Sequence, residues 1–273
     1  MAKESKARAE RILILPDAHY PYQDPGAMGC VRHVAEVWRP DKVIVLGDWL
    51  DAAAFSTHTP LAPEERAVSF LRDEVAPCNE MLDHLQRYSR QLVYLEGNHE
   101  QRVQRHSAVS VLGADMMRLA APEALLRRRV GADGEPGKPR RRFTYVPYLP
   151  HLGDNGHSHW RVTQDLIAVH GWTHAQNAAA VHAAKARSVS VVFGHVHRAQ
   201  SVTTRDPLTN KLHYSWSPGC LCKLNPLYMA STPTDWSHGF SMVFAGRSSW
   251  SAYTVPIHPG GWCVLPDGQE VRG

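Results

Sequence analysis

The sequence predicts an α/β fold in which the chemistry lies at one edge of a parallel sheet. Short apolar runs rich in Val, Ile and Leu recur along the chain, as buried strands do. They occupy residues 12–15, 43–46, 92–95, 166–169 and 189–193. Segments with helical spacing separate the first runs, and such alternation of strand and helix implies a parallel sheet. A polar motif follows each run, at the strand end where α/β sheets place their active groups.

Helices are predicted after each of the first three strands. Residues 26–38 carry apolar side chains at helical spacing, and Pro40 ends that helix. A longer helical region is predicted at about 63–90, where Pro77 should cause a break or a kink because proline lacks the backbone N–H that an interior turn needs. The third strand should lead into a helix that continues through Val111.

The second half of the chain is predicted to be richer in strands. Residues 122–150 contain glycines and prolines that indicate an irregular, exposed and basic insertion. An Ala-rich helix is expected at 175–187, a hairpin at 199–216, and a final pair of strands at 239–245 and 250–255. No fixed-period repeat and no clear boundary interrupt this pattern, so we expect residues 1–273 to form a single domain.

Composition excludes several classes of protein. Hydrophobic residues make up 43% of the chain and charged residues 21%, as in ordinary globular proteins. No apolar run approaches the roughly 20 residues of a membrane helix, and the N-terminal segment lacks the apolar core of a signal peptide. Five cysteines, an odd number, argue against a disulfide framework. We therefore expect a cytoplasmic protein with no membrane partner.

The polar motifs contain the residue types that bind metals. Carboxylate, imidazole and amide groups form a mixed oxygen and nitrogen ligand set, which suits Mn, Fe, Zn or Ni better than Ca or Mg. The motifs, in chain order, are Asp17-Ala18-His19, Gly47-Asp48-Trp49-Leu50-Asp51, Gly97-Asn98-His99-Glu100, Val169-His170-Gly171 and Gly194-His195-Val196-His197. They supply enough ligands for two metal ions, an arrangement that binds phosphate esters and activates water.

In order and spacing, these five motifs resemble those of the calcineurin-like metallophosphoesterase superfamily. The run at 236–243 is also similar to phosphoesterases encoded in phage and prophage genomes. The resemblance implies a four-layer α-β-β-α sandwich with a dinuclear metal site at the strand-end loops. It assigns one metal to Asp17, His19 and His197, the other to Asn98, His170 and His195, and the bridging position to Asp48.

The resemblance also implies a reaction. Two divalent ions, with Mn the expected metal and Fe, Zn or Ni as alternatives, would hold a bridging hydroxide that attacks phosphorus in line. His99 would protonate the leaving oxygen or stabilise charge on the phosphoryl group. Asp51 would hydrogen-bond to His99 and favour its imidazolium form.

The substrate is less constrained than the reaction. Phosphoprotein phosphatases of this superfamily carry an arginine where this chain has Ala52, so a protein phosphatase is disfavoured. Arg102 is a candidate phosphate clamp, although a surface arginine is the plainer interpretation. Trp49 and Trp172 are candidates for the pocket wall, where they would stack on a base, against the alternative of core packing.

The basic insertion bears on the choice among substrates. The segment from Arg127 to Arg142 contains seven Lys or Arg residues and two acidic residues, which gives it a local net charge of +5. This segment either tracks a nucleic-acid backbone or forms a solvated loop. We expect a phosphodiesterase whose partner is a phosphate ester, with a nucleotide or nucleic acid among the candidates. The alternatives are a phosphomonoesterase on a small metabolite, a DNA exonuclease or endonuclease, and a non-catalytic binding scaffold.

Overall fold

The computed structural model describes residues 8–55, 69–109, 121–148, 158–226 and 233–273. The strands are β1 (Glu10–Leu15), β2 (Lys42–Val45), β3 (Gln91–Leu95), β4 (Phe143–Val146), β5 (Trp160–Thr163), β6 (Leu166–Val169), β7 (Ser190–Phe193), β8 (Ala199–Arg205), β9 (Leu212–Pro218), β10 (Gly239–Ala245), β11 (Trp250–Pro256), β12 (Trp262–Val264) and β13 (Glu270–Arg272). The α-helices are α1 (Pro25–Trp38), α2 (Ala76–Tyr88), α3 (Asn98–Val109), α4 (Pro122–Arg127) and α5 (Ala178–Ala186).

Two large sheets carry the fold. The six-stranded sheet has the order β11-β10-β1-β2-β3-β4, and the five-stranded sheet has the order β5-β6-β7-β9-β8. Strands β1 to β4 run parallel, as do β6, β7 and β9, whereas β10, β11, β5 and β8 pair antiparallel to their neighbours. The predicted strands are therefore present, but they are divided between two mixed sheets, because the fourth and fifth runs pair with each other and not with the first three.

The two sheets pack face to face, with helices on both outer faces. Along β1, Ile12 and Ile14 lie in the core between the two sheets. Leu13 and Leu15 point the other way, into the core between the first sheet and helices α1 and α2. On the far side, the outer face of the second sheet packs on α5. This alternation follows from the period of two along a strand. The four layers α-β-β-α that the sequence motifs implied are confirmed.

The helix boundaries follow from local chemistry. The Asp24 side chain caps α1 by accepting the Ala27 N–H at 2.8 Å, and the helix ends at Arg39, which has a left-handed φ of 47°. Of the helical region predicted at 63–90, residues 63–68 lie outside the described ranges. The remainder begins with a π-helical segment, Phe70–Val75, which changes to α2 next to Pro77. The expected break thus takes the form of a change in helix type.

The described part of the predicted insertion, residues 122–148, contains more regular structure than its composition predicts, and residues 149–150 lie outside the described ranges. It contains α4 and β4, and β4 extends the first sheet by pairing in parallel with β3. The Arg140 guanidinium is buried, donates to the Asn79 side chain at 2.9 Å and forms an ion pair with Asp83. Arg129 pairs with the same aspartate, and Arg127 pairs with Glu123. Part of the predicted basic surface is therefore neutralised within the chain.

The C-terminal part of the chain confirms the predicted hairpin, β8–β9, and the final strand pair, β10–β11. It also forms a ribbon, β12–β13, that was not predicted and that packs against α1. The Sγ atoms of Cys30 on α1 and Cys263 on β12 lie 3.4 Å apart, and all five cysteines are buried free thiols. Among the helices of the described ranges, none combines the length and apolar character needed to cross a membrane.

Candidate metal centre

All five polar motifs meet at one edge of the sandwich, at the carboxyl ends of β1, β2, β3, β6 and β7. Hydrogen bonds between loops fix their positions within each sheet: the His19 N–H donates to Asp48 O at 2.9 Å, and the Gly194 N–H donates to His170 O at 2.7 Å. Other contacts cross between the sheets. The His195 N–H of the second sheet donates to the Asp17 carboxylate of the first at 2.8 Å.

The first group of ligands comprises Asp17, His19 and His197. Nε2 of His19 lies 3.1 Å from Nε2 of His197, which lies 3.5 Å from Oδ1 of Asp17. One ligand atom from each of the three residues lies within 4.8 Å of the others, and all three residues are buried. This group matches the first of the two predicted sets.

The second group surrounds Nε2 of His170. That nitrogen lies 2.9 Å from Oδ1 of Asn98, 3.1 Å from Nδ1 of His195 and 3.2 Å from Oδ2 of Asp48. The same Asp48 oxygen is 3.8 Å from Nε2 of His19 in the first group. Asp48 therefore lies between the two groups, in the position that a bridging carboxylate requires.

The ring orientations direct lone pairs into both groups. Nδ1 of His170 donates to Leu46 O at 2.8 Å, and Nδ1 of His19 contacts Oδ1 of Asp51 at 2.8 Å. In the neutral rings this leaves each Nε2 without a proton, so several acceptor atoms face one another at close range. Such a cluster of acceptors can hold a cation. The donor set fits divalent metal ions.

The charges of the site lead to the same conclusion. Burial alone would raise the pKa of Asp48, but His170 and His99 outweigh it and hold the pKa well below its ordinary value. Burial lowers the pKa of His170, yet the Asp48 carboxylate and further contacts raise it to about 10. The site therefore keeps its carboxylates ionised and draws positive charge toward Nε2 of His170, the atom that would bind a metal.

Several of the same residues have a strained backbone. Four candidate ligands, His19, Asp48, His195 and His197, have left-handed φ values of 51°, 50°, 72° and 59°. Such a conformation costs a residue other than glycine about 1–3 kcal/mol, and it persists only where the surrounding structure holds it in place. Gly97 is required by close approach, because a Cβ there would lie 2.1 Å from Oδ1 of Asp48. The local backbone is thus adapted to the positions of the ligands.

His99 lies beside both groups at the start of α3. Its Nε2 is 3.9 Å from Oδ2 of Asp48, and its Nδ1 is 3.2 Å from Oδ1 of Asp51. Burial lowers the pKa of His99, but the Asp48 and Asp51 carboxylates outweigh this effect, and the net shift is upward. Asp51 contacts both rings at 2.8 Å, that of His19 through its carboxylate and that of His99 through its backbone carbonyl, so it orients a candidate metal ligand as well as the residue for which it was predicted.

Arg102 reaches the centre from the next turn of α3. Its guanidinium donates to Nε2 of His99 at 2.9 Å and to the Asp51 carbonyl at 3.3 Å. The predicted phosphate clamp therefore lies beside the candidate catalytic histidine, where it is partly buried.

The two tryptophans that were predicted to line the pocket lie in different surroundings. Trp49 is fully buried in the core, and its indole N–H donates to Pro16 O at 2.9 Å, so it presents no face to a substrate. Trp172 stacks on His182, with ring centroids 5.1 Å apart. We therefore assign Trp49 to the core, and Trp172 to packing against α5.

Glu100 has a structural role that the sequence alone did not reveal. Its carboxylate is fully buried and accepts hydrogen bonds that hold the loop of the second motif around the metal ligand Asp48. The donors are the backbone N–H groups of Gly97, Asp48, Trp49 and Leu50, at 2.8–3.0 Å, and the hydroxyl of Tyr94, at 2.6 Å. Burial and the nearby Asp48 carboxylate raise the pKa of Glu100.

Replacing Glu100 with alanine should lower the free energy of unfolding by at least about 3 kcal/mol, because each stranded buried donor costs on the order of 1–3 kcal/mol. Chemical denaturation at fixed metal concentration measures this loss. Glu123→Ala serves as the matched control, since it removes an exposed carboxylate that pairs with Arg127 on α4. Equal stability of the Glu100 and Glu123 variants would refute the structural role.

Three further side chains adjoin the metal ligands. Nε2 of His174 lies 3.0 Å from Nε2 of His195, the ring of Trp236 contacts His197, and the ring of Tyr148 contacts His170. His174 lies close in sequence to the motif Val169-His170-Gly171, so the sequence could have indicated that it belongs to the site. Trp236 and Tyr148 are remote from every motif, and only the fold brings them to this edge.

The chain belongs to the calcineurin-like phosphoesterase family, whose model matches residues 10–199. The enzymes that this family defines are metallophosphoesterases, hydrolases of phosphoric esters that typically bind divalent metals. The matched region contains all five motifs, and the two groups of candidate ligands described above lie within it. No curated protein sequence matches the chain.

Several solved structures are similar to the chain at low identity. Vps29 from Chaetomium thermophilum is 12% identical, with 97% of this chain and 95% of that chain covered and a TM-score of 0.42. Vps29 from Cryptosporidium parvum is 13% identical, with coverages of 98% and 97% and a TM-score of 0.42. YfcE, a phosphoesterase from E. coli, is 14% identical, with coverages of 91% and 100% and a TM-score of 0.37. Similarity this low assigns none of their activities or partners to this chain.

Proposed function

We propose that the protein is a dinuclear metal-dependent phosphodiesterase, and the position of Asp48 between two groups of ligands carries this proposal. Asp17, His19 and His197 would hold one ion, Asn98, His170 and His195 the other, and Asp48 would bridge them. When bound, the two ions would neutralise phosphate charge and lower the pKa of water in the site. Manganese is the metal that we expect first, with Fe, Zn and Ni as alternatives.

The residues beside the metal ligands account for proton transfer and binding. His99 would act on the leaving oxygen as an acid, and the carboxylates of Asp48 and Asp51, which raise its pKa, favour the protonated ring that this role needs. In the structure Nε2 of His99 accepts a hydrogen bond from Arg102. We propose that a bound phosphoryl group draws the guanidinium away from this nitrogen, which then takes up a proton from solvent and donates it to the leaving oxygen.

The charge of the site favours a diester over a monoester. A diester carries one negative charge, whereas a monoester carries up to two and needs more cationic contacts. Ala52 occupies the position where phosphoprotein phosphatases carry an arginine, and Arg102 supplies a guanidinium that contacts this centre. The net charge of the basic insertion gives little support for a nuclease that grips a duplex, since Arg127, Arg129 and Arg140 have acidic partners.

Initial rates on bis-p-nitrophenyl phosphate and p-nitrophenyl phosphate test the proposal directly. Metal-stripped protein refilled with Mn²⁺ should hydrolyse the diester faster, and the metal content should approach two ions per chain. Arg102→Ala should raise KM about tenfold or more, because a charge-assisted hydrogen bond to phosphate is worth about 1.5–3 kcal/mol. Faster hydrolysis of the monoester would replace this proposal with a phosphomonoesterase, and no hydrolysis by the loaded protein would leave a binding scaffold.

A further inference from the structure

An aromatic ring lies against each of the two groups of metal ligands. The centroid of the Trp236 ring is 4.2 Å from that of His197, at an interplanar angle of 85°. The centroid of the Tyr148 ring is 6.2 Å from that of His170, at 81°. His197 belongs to the first group and His170 to the second, so each ring adjoins a different group.

Both rings are partly exposed, and their backbones are anchored. The Tyr148 N–H donates to the Glu96 carboxylate at 2.6 Å. Next to Trp236, the Ser237 N–H donates to the His197 carbonyl at 2.9 Å. Neither ring belongs to the three apolar cores of the fold. Rings that are held in place beside a reaction centre, yet not used in core packing, are suited to contact a flat group of the substrate.

We propose that the substrate is a phosphodiester with a nucleobase on each side of the scissile phosphate, as in an unpaired dinucleotide or a single-stranded nucleic acid. The inference rests on the proposed phosphodiesterase activity and specifies its substrate class. With the phosphate at the metal pair, one flanking base stacks on Trp236 and the other on Tyr148. Stacking tolerates any base, because every base has a π-face. A duplex is a poor substrate, since its bases are already stacked on one another.

Synthetic dinucleotides separate the contribution of each base. Thymidylyl-thymidine is compared with the same diester that carries an abasic sugar on the 5′ side, on the 3′ side or on both, using Mn²⁺-loaded protein. Each base should raise kcat/KM about tenfold or more, as base–aromatic stacking does. In Trp236→Ala the ratio of rates with and without one base should fall toward one, and in Tyr148→Ala the same should happen for the other base.

Matched variants distinguish stacking from a general disturbance. Trp236→Phe and Tyr148→Phe keep a ring and should keep most of the base preference. Tyr253→Ala removes a ring that is 46% exposed on β11 and should leave the preference intact. Equal rates on the dinucleotide and its abasic forms, or no cleavage of either, together with cleavage of bis-p-nitrophenyl phosphate, would overturn the inference and leave the proposed function standing. Failure to cleave any diester would overturn both.

Discussion

Replacing Asp48 with asparagine should reduce kcat/KM for bis-p-nitrophenyl phosphate by about a thousandfold or more. Oδ2 of Asp48 lies within 3.2–3.9 Å of Nε2 of His170, His19 and His99, so its charge acts on both groups of candidate ligands and on the candidate catalytic histidine. Metal ions contribute several kcal/mol to such reactions, and about 4 kcal/mol corresponds to a thousandfold. Metal content by mass spectrometry should fall below two ions per chain in parallel with the rate.

Asp41→Asn is the matched control for this variant. Asp41 precedes β2 and pairs with Arg8, so that its loss removes a carboxylate without touching the centre. Its rate and metal content should equal those of the wild type. An Asp48 variant that retained both metals and full activity would show that Asp48 does not bridge, and the dinuclear mechanism would fail.

Replacing His99 with glutamine should lower kcat by about 10²- to 10⁴-fold on diesters with an alkyl leaving group, the range for loss of a general acid. The loss should be smaller on bis-p-nitrophenyl phosphate, because p-nitrophenolate leaves without protonation. Metal content should remain at the wild-type value, since His99 is not assigned as a ligand. Equal losses on both classes of diester would assign His99 to stabilising the phosphoryl group and exclude it as the acid.

The pH dependence of activity provides a second test of the role of His99. An acid must be protonated to act, so wild-type activity on alkyl diesters should fall as pH rises through the pKa of His99. That pKa is raised because Asp48 and Asp51 outweigh burial, so the fall should come at higher pH than for an ordinary histidine. In His99→Gln this descending limb should disappear. A limb that persisted unchanged would belong to another group.

The ligands could be predicted from the sequence because each follows an apolar run that forms a strand. Asp17 and His195 are examples: each lies two residues after its strand, β1 or β7, and the packing of the two sheets brings these strand ends to one edge. The four layers could be predicted through the motifs. The division of the strands between two sheets could not, because the runs at 92–95 and 166–169 are both short and apolar, and pairing depends on the whole topology.

The features that could not be predicted from the sequence depend on contacts between residues that are far apart in the chain. Trp49 lies inside a motif yet is a core residue, whereas Trp236 lies far from every motif yet contacts a ligand. Arg140 lies in a basic segment that predicts an exposed side chain, but it is buried and contacts Asp83 and Asn79. Proximity in sequence and net charge carry no information about such pairings, because the partners are tens of residues apart and are brought together by the sheets.

The hydrogen bonds that cross between the sheets have a consequence for how the protein unfolds. A ligand from each sheet is held by the other: His170 donates to Leu46 O of the first sheet, and Asp17 accepts the His195 N–H of the second. Ions bound at the edge where the motifs meet would link the two sheets. They would stabilise the folded state more strongly as their concentration rises. We therefore expect the loaded protein to unfold in a single cooperative transition, and the stripped protein to open first at the edge where the motifs meet.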